Sequence, residues 1–368
     1  MLLFDAHLDL AMNAVEYNRD LTQPLATIRA REAHLHDKPD RGHGTVCLPE
    51  LRRGHFGVVV ATLIARVELG GYSPAFGWNS PAQAWAMTQA QLAWYRTMEE
   101  AGEMVSIRTR AELDTHASLW QTALTSSSSS SPAEPPDLPV GYLLSLEGAD
   151  SLITLEHLDR LHAAGLRAIG PAHYGEGRYA FGTSASGPFP PRGRELLRHI
   201  ARLGLILDVT HLCDECFWEA MELHTGPLWA SHQNARTLVP HCRQFSDEQI
   251  RAVIDRGGVL GLPFDAWMIV PGWERGKTTP ASAGVTLQHA ADHLDHICQL
   301  AGNAHHIGLG TDLDGGFGTE QTPGDLDSIA DLQKLFEILR IRGYTEEDLL
   351  AIAHGNFLAF LQKALPES

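Results

Sequence analysis

The chain has no run of about 18 apolar residues, so it offers no membrane-spanning helix. It also lacks a basic N-terminal stretch followed by a secretory hydrophobic region. Met1-Leu2-Leu3-Phe4 leads straight into a polar motif, and a cytoplasmic location is expected. Positive charge is scarce: the formal net charge of −17 argues against a nucleic-acid partner, which would call for a basic face. Cysteine is sparse and odd in number, with Cys47, Cys213, Cys216, Cys242 and Cys298, which excludes a disulfide framework. Cys213-Asp214-Glu215-Cys216 has redox or zinc spacing but no second pair, and reads as two thiols at the start of a helix. Lysine is reduced to Lys38, Lys277, Lys334 and Lys363, none at the end of an apolar run.

Short apolar runs are present, and they stop at residues able to bind a metal. Leu2–Phe4 leads into Asp5-Ala6-His7-Leu8-Asp9, Val140–Leu146 into Glu147, and Leu166–Ala172 into His173. Leu205–Thr210 leads into His211, Leu228–Ser231 into His232, and Ile307–Thr311 into Asp312. A strand buried on both faces reads as a continuous apolar run. Eight are expected, at about 2–6, 57–64, 140–146, 166–172, 205–210, 228–231, 258–263 and 306–311.

Helical patterns alternate with these runs. Ser80-Pro81 opens one, Glu195–Leu203 stops at Gly204, and Ser246-Asp247-Glu248-Gln249 is a capping-box pattern. Leu287–Ala301, Leu326–Arg342 and Thr345–Leu365 supply the others. Eight strand–helix units predict one α/β domain over 1–368, a closed (β/α)8 TIM barrel. A serine- and proline-rich loop at about 125–137 interrupts it, expected at the face away from the chemistry.

In such barrels, catalytic groups gather at the C-terminal ends of the strands. His7 and Asp9, two apart, point the same way on an extended chain and could share one ion. His211 and His232 end neighbouring strands. Glu147 lies between the two groups around the ring, and its two oxygens could bridge cations about 3.5–4 Å apart. With no lysine at a strand end, a carboxylated-lysine bridge is unavailable and the bridge falls to a carboxylate. Two divalent cations would balance Asp9, Glu147, Asp312 and a hydroxide. His34-Leu35-His36-Asp37 has no strand before it and reads as a solvated loop or helix. His305-His306 precedes a strand and belongs to the opposite face. Asp312 is the first residue past its run and is expected to face inward, as base or as ligand orienter; Asp314 is the alternative base.

At this point the order of motifs resembles the membrane (renal) dipeptidase family of zinc peptidases, in particular its soluble microbial members. The resemblance rests on Asp5-Ala6-His7-Leu8-Asp9-Leu10, Leu48-Pro49-Glu50-Leu51-Arg52-Arg53-Gly54, Leu146-Glu147-Gly148 and Gly165-Leu166-Arg167 leading to His173. It continues through Asp208-Val209-Thr210-His211, Ser231-His232-Gln233-Asn234-Ala235-Arg236, Gly310-Thr311-Asp312-Leu313-Asp314-Gly315 and Gly355-Asn356-Phe357-Leu358. It implies a two-zinc site with His7 and Asp9 on one ion, His211 and His232 on the other, and Glu147 shared. It implies that a metal-bridging hydroxide cleaves a dipeptide, with Asp312 handling protons, His173 facing the substrate and Arg243 holding its carboxylate. It also suggests a homodimer. Hydrolysis of another small amide, an N-acyl amino acid or a lactam, is the alternative activity. The stretch Tyr174–Arg178 and the loop Phe264–Gly284 depart from the family pattern and leave side-chain preference open.

Overall fold

Parallel strands covered on both faces must bury every side chain, and the longest apolar runs do so. All nine residues of β2 (Phe56–Ile64) and all eight of β4 (Val140–Glu147) are buried. The computed structural model describes residues 1–68, 77–126 and 136–367; most of the serine- and proline-rich segment lies outside these described residues. The remaining strands are β1 (Leu3–Leu8), β3 (Met104–Ser106), β5 (Leu166–Gly170), β6 (Ile206–Asp208), β7 (Leu228–Trp229), β8 (Leu260–Leu262) and β9 (Ile307–Leu309).

Pairing is parallel throughout, in the order β7-β6-β5-β4-β2-β1-β9-β8. The ring closes through a parallel bridge between Ala230 and Leu260, so the eight expected strands form the barrel. Glycine makes this seam possible. A Cβ on Gly261 or Gly310 would stand 1.9 or 1.8 Å from the Ser231 carbonyl oxygen. β3 was not foreseen; it pairs with Val140–Tyr142 of β4, sharing the β4 edge that β5 occupies further along. Three residues with one buried position carry too weak a pattern to announce a strand.

Alternate strand residues, among them Leu2, Phe4, Val58, Val60, Leu143 and Trp229, fill the interior together with Phe357. The expected helix over 345–365 is broken by a π turn at Ala351–Gly355. Past this turn, Asn356 bonds the Ala304 and Ile307 carbonyls at 2.7 Å each, and Phe357 stacks on Phe4 with ring centroids 5.0 Å apart. The helix expected at 326–342 likewise begins as a 3-10 turn, Ile329–Leu332, before Gln333–Ile341. Ser80 caps Pro81–Glu100, Ser246 forms its capping box on Asp247–Asp255, and Gly204 ends Pro191–Leu203 in the left-handed region at φ 66°. Cys213 caps the helix Asp214–Leu223, and all five cysteines are free thiols. No helix among the described residues is long and apolar enough to cross a membrane.

Candidate metal centre and active site

Carboxylates staple the strand ends that carry the chemistry. Asp5 accepts from the His7 and Thr311 amides at 3.0 and 2.8 Å and from the Thr311 hydroxyl at 2.6 Å, joining β1 to the end of β9. Asp208 accepts from the Thr210 and Ser231 amides, each at 3.1 Å, joining the ends of β6 and β7. The β1–β2 register breaks between Asp5 and Leu8. That break lets His7 and Asp9 face the barrel mouth while Leu8 packs outward.

Five side chains named from the sequence converge there. Glu147 Oε2 lies 3.4 Å from His7 Nε2, while Glu147 Oε1 lies 3.4 Å from His211 Nε2 and 3.6 Å from His232 Nε2. His7 Nε2 is also 3.7 Å from Asp9 Oδ1, and the two histidine Nε2 atoms of His211 and His232 are 3.0 Å apart. Asp312 stands 3.9 Å from His7 and His173 stands 3.8 Å from Glu147. Among the described residues three overlapping groups bring ligand atoms within 4.8 Å of one another: His7, Asp9 and Glu147; Glu147, His211 and His232; and His7, His232 and Asp312.

The surroundings fix which atoms point inward. His211 Nδ1 meets the Thr183 hydroxyl at 3.0 Å, and the Ser231 hydroxyl meets both His232 Nδ1 at 2.9 Å and His7 Nδ1 at 3.3 Å. Asp9 is held by the Thr62 hydroxyl. With the Nδ1 atoms engaged, Nε2 is free for a cation. His7 Nε2 and Glu147 Oε2 are buried without any hydrogen-bond partner. A buried orphan polar atom is costly, and a divalent cation would satisfy both. The donor set therefore fits a metal centre.

Electrostatics agree. Burial and the Glu147 charge push Asp9 up to about 6. Burial raises Asp312 well above the carboxylate range, reinforced by Asp9 and Glu147. Burial alone would lower His7, but Glu147, Asp9 and Asp312 carry it up to about 10. Burial holds His173 down at about 4, with Arg66 and Arg243 adding to the effect. So dense a set of acids calls for cationic compensation. His211 and Asp312 take positive φ of 67° and 56°, a sparsely populated conformation for side-chain-bearing residues and one that concentrates at functional sites.

A cavity of about 610 Å3 opens over this cluster, bordered by Asp9, Glu147, His173, His211, Arg243 and Asp312. Arg243 is only 2% exposed, so it is a buried group and not a surface arginine. Its Nη1 donates to Gln233 Oε1 at 2.6 Å and its Nη2 to the His232 carbonyl at 2.9 Å, leaving a buried Nε without partner. Gln233 is thus the support that the Ser231–Arg236 motif encodes. Asp314 is committed elsewhere, accepting from Thr45 N and Oγ1 at 2.7 and 2.6 Å and from Val46 N at 3.0 Å, with Arg19 at 3.6 Å. This removes it as a candidate base. His34 and His36 are exposed in a loop, and His306 bonds the Gly258 carbonyl ahead of β8 and β9, at the end of the barrel opposite the mouth. Sequence reasoning assigned no role to Asp5, Asp208, Ser231, Thr183 and Thr62; the first three stand inside the quoted motifs just ahead of His7, His211 and His232, while Thr62 and Thr183 bear no pattern of their own.

A closed parallel barrel with carboxylates and imidazoles converging at its C-terminal mouth defines a TIM-barrel metal-dependent hydrolase. The membrane dipeptidase family, peptidase family M19, matches residues 1–365, and the chain belongs to it. A Klebsiella pneumoniae relative, described as an uncharacterized protein in the pqqA 5' region, is 32% identical over 213 residues, 56% of this chain and 74% of the relative. Dipeptidase tcpJ of Claviceps purpurea is 26% identical over 234 residues, 61% of this chain and about half (51%) of the relative's length. Among solved structures, dipeptidase AC, a metallopeptidase of family M19, superposes with TM-score 0.77 at 23% identity over 100% of this chain and 99% of its own. A Rhodobacter sphaeroides metallopeptidase, solved with a phosphinate mimic of L-Ala-D-Ala, gives 0.73 at 22% identity, with 99% of each chain covered. These structural likenesses support the barrel fold.

Proposed function

We propose that this metallodipeptidase-family chain hydrolyses dipeptides at a pair of divalent cations, most simply zinc, held by His7 and Asp9 on one side, His211 and His232 on the other, and Glu147 across both. The observation that carries the reading is the division of Glu147: one oxygen faces His7, the other faces His211 and His232. Imidazole nitrogen and carboxylate oxygen are zinc donors. When bound, the cations would acidify a shared water and polarise the scissile carbonyl.

The chain's own groups do the rest. Asp312, raised by burial and close to His7, takes a proton from the nucleophile and returns it to the leaving amine. His173, held neutral, donates toward the oxygen that gains charge. Arg243, buried and anchored by Gln233, receives the terminal carboxylate with a fixed fork that favours short substrates. The R. sphaeroides structure holds a mimic of an L,D-dipeptide, which supports including that stereochemistry among the substrates.

Metal analysis paired with a panel of L,L-dipeptides, L,D-dipeptides and N-acyl amino acids tests this. Bound metal near two equivalents, with turnover of free-amine dipeptides, is expected. Turnover confined to N-acyl amino acids would reassign the substrate class, and one equivalent would remove the bridge.

A further inference from the structure

A second guanidinium stands beside His173, and the catalytic cycle just described gives it no task. Arg66 follows the end of β2, two residues past Ile64. Its backbone is pinned: Trp78 N donates to the Arg66 carbonyl at 2.8 Å, and the next residue, Val67, donates to Asp150 Oδ2 at 3.3 Å. Its side chain crosses to the His173 loop, where Nη2 donates to the Tyr174 carbonyl at 3.2 Å. That loop is itself ordered, by Thr183 N to the His173 carbonyl at 2.9 Å and Gly175 N to the Thr183 carbonyl at 2.8 Å. Arg66 borders the same cavity as Arg243 and His173.

Other cations of that cavity are engaged. Arg275 bonds Asp265 at 2.8 Å, Arg243 is tied to Gln233 and His232, and Lys38 lies 3.6 Å from the Tyr17 ring centroid. Among the described residues Arg66 is paired only with Glu68, at 3.5 Å. That carboxylate is 49% exposed, Arg66 itself 27%. An ion pair so open to water holds weakly and exchanges readily for a better-placed anion. Arg66 thus reaches the residue next to His173 and lines the same chamber as Arg243, which gives that chamber a second guanidinium for a substrate carboxylate.

We propose that Arg66 is a specificity-determining residue that receives a second carboxylate, the acidic side chain of the residue leaving as the C-terminal half of the dipeptide. This rests on the dipeptidase reading and deepens it: preferred substrates end in Asp or Glu. A guanidinium offers a carboxylate parallel N–H donors, and the charge-assisted bond would form without new backbone movement because Arg66 is already held in place.

The test measures kcat and KM for Ala-Ala, Ala-Asp, Ala-Glu, Ala-Lys, Asp-Ala and Glu-Ala, with both L and D second residues, on the metal-loaded enzyme. Wild type should favour Ala-Asp or Ala-Glu over Ala-Ala. Arg66→Gln keeps a donor for the Tyr174 carbonyl but not the charge. Its kcat/KM should fall about 10- to 100-fold more for the acidic second residue than for Ala-Ala, mainly through KM. Arg66→Lys should retain the preference in weakened form, and Arg66→Glu should shift it toward Ala-Lys. An equal loss on every substrate would reduce Arg66 to a loop clamp and overturn the inference, as would dependence confined to Asp-Ala and Glu-Ala. Wild-type cleavage without acidic preference overturns it alone; no cleavage of any dipeptide overturns the dipeptidase reading and this inference with it.

Discussion

One hydroxyl, that of Ser231, serves imidazoles from opposite halves of the centre. Its oxygen has two acceptor positions, so the Nδ1–H groups of His7 and His232 can both donate to it and present both Nε2 lone pairs inward. Ser231→Ala should therefore weaken metal retention by about 10- to 100-fold, read by chelator competition, while the fold is kept. Asp312→Asn probes the other residue-scale assignment. Turnover should drop by about 10²- to 10⁴-fold with metal content preserved. Near-normal kcat would dismiss Asp312 as the proton carrier, and lost metal would make it a ligand. Glu147→Gln should reduce the content of both ions on elemental analysis; unchanged occupancy would remove its bridging role.

At the scale of elements, the strands that carry the proposed ligands were legible because each is a mostly apolar run stopped by a histidine or carboxylate, and burial on both faces enforces that pattern. His7, Glu147, His173, His211, His232 and Asp312 could be picked out as strand-end residues, while Arg243 could not. It sits in a turn before the helix Asp247–Asp255, and only its burial beneath the cavity distinguishes it from a solvated side chain. Supports such as Asp5 and Asp208 were illegible for a related reason: they act across strands distant in sequence, which no local period records. Asp314 is the clearest case. Two residues past Asp312, it looks equivalent in one dimension, yet it faces Thr45, Val46 and Arg19. Asp314→Ala should cost about 3–5 kcal/mol in urea unfolding, because it strips a buried cation of one partner and orphans two amides. A loss below about 1 kcal/mol would show that Glu32 and Asp40, which also bond Arg19, compensate fully.

At the scale of the whole molecule, stability and metal loading should be linked. Asp9, Glu147 and Asp312 crowd the mouth with strained or orphaned neighbours, and a cation bound only by the folded state stabilises it by mass action. Chelation should lower the thermal midpoint by about 5 °C or more, recovered on adding back the ion. An unchanged midpoint would mean the cluster is tolerated without compensation.

The glycine seam bears on this linkage. Where the end of β7 passes Gly261 and Gly310, three backbones touch with no side chain between them, and the residue after that contact is His232. The clasp that turns a curved sheet into a hoop is therefore also the gauge that sets where the His232 imidazole stands in the proposed metal centre. A single methyl added there would act as a shim, springing the hoop and parting the imidazoles before any ligand itself is altered.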